Sequence, residues 1–282
     1  MQTRQPCAPQ FYSGGIGPQM EGYKKGFVPP DFPKKVVAGI VPHAGWFFSG
    51  RTAAKVFLTV KARQRPSTFV LFGAVHVPGV RTNSVYPDGS WDTPLGPVSV
   101  DSGLAGTVIK ELPELVSPDP RAHMSEHSIE VQLPMIKYLF PDARIVPVAV
   151  PPSPEAVEFG GGVGRIIRDT GQDAVVIAST DLTHYGDNYG YTPAGYGRDA
   201  YEWMVENDSH ILELARTMRP SEIITEAAVM HNACGAGAMA AAVAAARAMG
   251  AAAGHLIEHT TSYDVYPEGE FEMAVGYAAM VF

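Results

Sequence analysis

The 282-residue chain has only two cysteines, Cys7 and Cys234. That excludes a disulfide framework and a three-cysteine iron–sulfur motif, and a chain of this length needs no staple to fold. A reducing compartment, the cytoplasm, is the expected location. Positive charge is scarce too: 21 Lys and Arg against 29 Asp and Glu leave a net charge of -8, unbroken by any basic run. Nucleic acid is therefore not expected as a partner. Nor is a membrane, because the longest apolar run, 233–246, is rich in alanine and glycine and ends at Arg247. It falls short of the roughly 20 strongly apolar residues of a membrane span and reads as a buried helix. The polar stretch from Met1 to Pro6 is not followed by an apolar signal core. No internal repeat and no long linker divides the chain, so one domain over 1–282 is expected, with 1–35 as a Gly- and Pro-rich extended arm carrying at most one short helix.

Three apolar runs each end on a residue able to bind metal. The run 36–41 leads through Pro42 to His43, the run 68–73 to His76, and the run 174–178 to Asp181 and His184. Such short β-branched runs read as buried strands of an α/β protein, in which a central, largely parallel or mixed sheet is flanked by helices. The carboxyl ends of such strands open into the ligand crevice, so these residues are expected to converge there. Further expectations are a strand at 144–150 and closing strands at 256–262 and 273–282. Helices are expected at 50–64 (capped by Ser49), 102–112, 126–140 (opened by Ser125 and bent at Pro134), 156–168 and 198–216. A shorter helix capped by Ser221 and an alanine-rich helix starting near Cys234 complete the set.

Taken singly, His43 and His76 read as satisfied structural histidines; their equivalent positions after core strands favour a shared site. Asp181 and His184, spaced i, i+3, would share one side of a helical turn, with the carboxylate orienting the imidazole as an acid/base pair; a simple cap is the plainer reading of Asp181. Cys234 at the start of a helix would gain thiolate character from the dipole. Glu126 and Glu130, beside His127, read as solvated charges at a helix N-terminus. His210, His255 and His259 carry no assignment.

Collected, these segments resemble the Memo family, whose prokaryotic members are named AmmeMemoRadiSam system protein B. The resemblance rests on Phe11-Tyr12-Ser13, Pro42-His43-Ala44-Gly45 with Ser49-Gly50, Glu126-His127-Ser128-Ile129-Glu130 with Gln132-Leu133-Pro134, Ser179-Thr180-Asp181-Leu182-Thr183-His184-Tyr185, Cys234-Gly235 and Val275-Gly276-Tyr277. It implies the fold of class III extradiol dioxygenases, which open catechol-type rings with non-haem Fe(II). It also implies His43, His76 and Cys234 as metal ligands, with Asp181, His184 and His127 as catalytic groups in the same pocket. Two departures stand out. The family often shows Gly-Pro-Ser-His-His, whereas Gly73-Ala74-Val75 precedes a single His76 followed by Val77. A thiolate also takes the place of the dioxygenases' carboxylate, so Cu or Zn competes with Fe(II), the first expectation.

The function expected is a metal-dependent oxidoreductase or dioxygenase-like enzyme acting on a small-molecule substrate. The alternative is a non-catalytic metal-binding or redox-regulated interaction protein, the class to which animal members implicated in motility signalling and metal handling are closer. The prokaryotic family name implies functional association with a radical S-adenosylmethionine protein and an AMMECR-type protein.

Overall fold

A computed structural model of the chain describes residues 3–282. At its centre four parallel strands lie in the order Ala38–Val41, Ala174–Ser179, Thr68–Gly73 and Arg144–Ala149. Antiparallel strands extend both edges. Ala274–Val281 pairs with Ala38–Val41 and is covered in turn by His255–Thr261 and by the two-residue strand His184–Tyr185. On the other edge Asn83–Val85 runs antiparallel to Arg144–Ala149, and Val116–Pro118 lies parallel beside it. The fold is thus a single α/β domain built on a mixed sheet with a parallel centre.

Alternation along the strands assigns each side chain to one of two cores. Val70, Phe72, Val146, Val148, Val176 and Ala178 face the alanine-rich helix Ala236–Ala248 and the helix Pro154–Thr170. Phe69, Leu71, Ile145, Val175 and Ile177 face the helices Ile16–Lys24, Arg51–Arg63 and Leu133–Leu139. The glycines of Pro154–Thr170 have a packing cause. A Cβ on Gly160 would lie 2.1 Å from the Ala241 carbonyl oxygen, and one on Gly164 would lie 2.4 Å from that of Ala245. Glycine on one helix and alanine on the other bring the two backbones into direct contact.

The strands, the alanine-rich helix and Arg198–Arg216 lie where the sequence places them, within two residues. One helix start does not, and two other helices begin within two residues of the expected place without their expected serine caps. Ser49 caps nothing: its hydroxyl donates to the Ala44 carbonyl, inside a wide turn over Trp46–Gly50 that runs into Arg51–Arg63. The helix expected over 126–140 is confined to Leu133–Leu139, because Pro134 opens it rather than bending it, and a 3-10 turn at Glu130–Gln132 precedes it. Likewise Pro220, not a capping Ser221, starts Pro220–Met230. The N-terminal arm is pinned down. Thr3–Arg4 joins a small sheet with Ser90–Trp91 and Val98–Ser99, and a 3-10 turn at Pro9–Tyr12 precedes Ile16–Lys24.

Candidate metal centre

His43 leaves the first central strand after Pro42 and is buried. Oδ1 of Asp181, delivered by the neighbouring strand, accepts the His43 amide at 2.7 Å and the Ala44 amide at 3.3 Å. This carboxylate fixes the turn that carries the imidazole. The ring itself is held by a buried hydroxyl: His43 Nδ1 lies 3.1 Å from Ser179 Oγ. That hydroxyl donates to the Ser128 carbonyl at 2.7 Å and receives a proton of the Gln132 amide at 3.1 Å. The Gln132 amide also donates to the Pro42 carbonyl at 2.8 Å, which settles which end of the side chain is nitrogen. With its one proton committed to Ser128, Ser179 can only accept from His43. Nδ1 therefore carries the proton, and Nε2 presents its lone pair to the Cys234 sulfur 3.2 Å away.

His76 arrives from the next strand, after Gly73. Its Nδ1 lies 3.1 Å from Glu126 Oε1, and its backbone amide donates to Glu126 Oε2 at 2.7 Å. The Glu126 hydrogen bond raises the His76 pKa against the opposing effect of burial. Burial alone would raise the Glu126 carboxyl, but the hydrogen bonds from His76 and from the Ser128 amide hold it well below the ordinary carboxylate range. Glu126 is thus no solvated charge: it is 1% exposed and grips His76. A carboxylate on the far nitrogen of a ligating histidine fixes its tautomer and raises its basicity. Glu130 is buried as well, paired with Arg4 at 2.8 Å.

Cys234 sits two residues before Ala236–Ala248, not within its first turn. Its sulfur accepts the Asp181 amide at 3.3 Å, and its own amide donates to the Asp181 carbonyl at 3.2 Å. Gly235 makes this seating possible, since a Cβ there would lie 2.6 Å from the Ser179 carbonyl oxygen. The dipole does not dominate the thiol. Burial, reinforced by the Asp181 charge, pushes its pKa up, so the expectation of a dipole-favoured thiolate is corrected. Burial also depresses the His43 pKa to about 4, which keeps this imidazole neutral near pH 7.

One donor atom from each of His43, His76 and Cys234 lies within 4.8 Å of the other two. The set fits a metal ion chemically: two imidazoles, each with Nδ1 tied to an acceptor, and a sulfur whose proton a cation would displace. Around it, His127 stacks on His76 with ring centroids 5.0 Å apart and lies 5.5 Å from His43. His184 borders the same space, but Asp181 does not orient it. The segment 181–184 is extended rather than helical, and His184 Nδ1 lies 3.0 Å from the Leu182 carbonyl. A carbonyl only accepts, so the Nε2 lone pair of His184 is left free. A cleft of about 410 Å³ opens over the cluster, walled by Phe11, Phe48, Tyr189 and Tyr277 among others. An adjoining cavity of about 470 Å³ shares His76, His184 and Tyr189 with it and reaches Cys234.

His259, unassigned from sequence, supports this site from behind: it lies 2.8 Å from the buried Asp208, whose other oxygen accepts the Thr183 amide. Together with Asn207, which donates to the Thr183 hydroxyl, it clamps the segment that carries His184. Ser179, Gln132, Asp208 and His259 were not singled out as site residues, and only Ser179 and Gln132 lay within motifs that offered any signal.

Residues 16–281 match the family model described as Memo-like protein. The chain belongs to the Memo family. It is 38% identical over 257 residues to a MEMO1 family protein of Thermococcus onnurineus, covering 88% of this chain and 87% of that one. It is 36% identical over 284 residues to one from Pyrococcus abyssi, covering 97% of each. In structure it is similar to an uncharacterized protein, JW3007, of Escherichia coli K12, with a TM-score of 0.53 and 15% identity over 86% of this chain and 99% of that one. This last likeness concerns the fold alone. Among the described residues of this Memo-family chain, no helix is long and apolar enough to cross a membrane.

Proposed function

We propose that this Memo-family protein holds one metal ion, Fe(II) foremost, through His43, His76 and Cys234, and uses it to oxidise a small molecule bound in the cleft with dioxygen as the oxidant. The observation that carries this reading is the protonation pattern of the two histidines: Ser179 takes the Nδ1 proton of His43 and Glu126 that of His76, so both Nε2 atoms are left as ligands. A thiolate-bound non-haem ion with open positions would supply Lewis acidity and one-electron chemistry.

The remaining groups act on the substrate. His184, with Nδ1 donating to Leu182, offers Nε2 as a base at the wall common to both cavities. His127, stacked on His76, would serve as a further hydrogen-bond donor to bound substrate. Asp181 holds the His43 turn and places a negative charge 4.0 Å from His43 Nε2. Phe11, Phe48 and Tyr277 exclude water and favour an apolar or aromatic substrate body.

The test is metal analysis of protein purified without oxygen and supplied with iron. One equivalent should bind, and Cys234→Ala should lose it; absence of stoichiometric metal in the unaltered protein would overturn the reading. His184→Gln should keep the metal. Loss of a turnover rate in that variant identifies an enzyme, whereas an unchanged redox-dependent binding activity favours a metal-binding interaction protein.

A further inference from the structure

A second donor set overlaps the first. One ligand atom each from His76, Glu126 and His127 also lies within 4.8 Å of the other two. Glu126 Oε1 is central, 3.1 Å from His76 Nδ1 and 3.7 Å from His127 Nδ1. Two ligands held about 2.1 Å from one ion, at angles between about 90 and 110°, are separated by roughly 3.0–3.4 Å. The His76–Glu126 spacing falls within that range, and the 3.7 Å His127–Glu126 spacing lies just beyond it, so a small shift of the His127 ring would complete a shared site. The chemistry of the sets differs. His43, His76 and Cys234 form a soft two-nitrogen, one-sulfur set, whereas His76, Glu126 and His127 form a two-histidine, one-carboxylate set that suits harder ions.

We infer that the protein has two alternative metal positions hinged on His76, and that they sort divalent ions by hardness. The two cannot be filled together by a neutral His76. When Nδ1 donates to Glu126, Nε2 is the ligating nitrogen and serves the sulfur position. When an ion sits at Glu126, Nδ1 ligates and the proton moves to Nε2. A soft ion such as Zn(II) takes the sulfur position, and a hard one such as Mn(II) takes the carboxylate position. His76 serves both positions; His127 at 25% side-chain exposure opens the carboxylate position to the cleft, while Glu126 at 1% is as buried as His43 at 3%. The inference rests on the sulfur position of the reading above, to which it adds the carboxylate position, and it requires no turnover.

X-ray absorption on the unaltered protein loaded with one ion at a time tests it without any variant. The Zn(II) form should show a sulfur neighbour at about 2.3 Å, and the Mn(II) form only nitrogen and oxygen neighbours. His127→Ala, which leaves the His76–Glu126 pair in place, should weaken Mn(II) at least tenfold and Zn(II) less than threefold. Cys234→Ala should do the reverse. A sulfur neighbour in the Mn(II) form, or equal effects of His127→Ala on both ions, overturns the second position while leaving the sulfur site standing. Sulfur missing from the Zn(II) form overturns the sulfur site instead.

Discussion

Ser179→Ala probes the proton assignment on which the proposed metal centre rests. The Ser179 hydroxyl accepts from His43 and Gln132 and donates to Ser128 in a site closed to solvent. Removing it orphans the His43 Nδ1–H, one Gln132 N–H and the Ser128 carbonyl. Each buried orphan costs about 1–3 kcal/mol, and a water entering the vacated space would recover part of that, so a net loss of about 3 kcal/mol is expected. His43 also becomes free to exchange its ring proton between nitrogens, and loss of such an outer partner lowers metal affinity by about 10–100-fold. Urea denaturation of metal-free protein reads the first effect, and competition against a chromophoric chelator reads the second. Ser128→Ala is the control, because the Ser128 hydroxyl makes only a 3.4 Å contact with the Ala74 carbonyl. If Ser179→Ala matches that control in both assays, the assignment of the Nδ1 proton is wrong.

Other consequences are as direct. His123 is buried with Nε2 2.9 Å from the Ser84 carbonyl and with Nδ1 unpartnered, and burial depresses its pKa to about 4. The unfolded chain binds this proton first, so the stability it contributes is present above about pH 6.5 and is lost as pH falls towards 4, by about 3 kcal/mol in all; His123→Asn should flatten that slope in denaturation curves at pH 7 and 5. Gly160→Ala sets helix propensity, which favours the variant by about 1 kcal/mol, against a clash with the Ala241 carbonyl; a net loss of at least about 2 kcal/mol in chemical denaturation is expected, and a gain would refute the packing argument. Arg4→Ala leaves Glu130 charged and buried and removes the guanidinium from 4.1 Å above Trp91, so a loss of about 3–5 kcal/mol and faster proteolysis before Tyr12 should follow.

The central strands were legible because a strand buried on both faces must be apolar throughout, and the donors were legible because strand ends of a parallel sheet share one crevice. The resemblance of Glu126-His127-Ser128-Ile129-Glu130 pointed to the right segment, yet its charges read as solvated. Nothing local distinguishes a glutamate in water from one that grips an imidazole 50 residues earlier in the chain. The caps expected at Ser49, Ser125 and Ser221 failed for a related reason. A serine offers a cap to any nearby amide, but proline geometry and tertiary contacts chose the starts.

By itself, then, the order of residues determined the central strands and the three segments that bear the candidate ligating side chains, because hydrophobic periodicity is a local property of the chain. Only the tertiary structure decided which nitrogen of each histidine keeps its proton, that Glu126 rather than Asp181 backs an imidazole, and that Leu182 rather than Asp181 turns His184. Those outcomes depend on hydrogen bonds a few ångströms long between groups far apart in sequence, and distance in space is what a linear pattern does not encode.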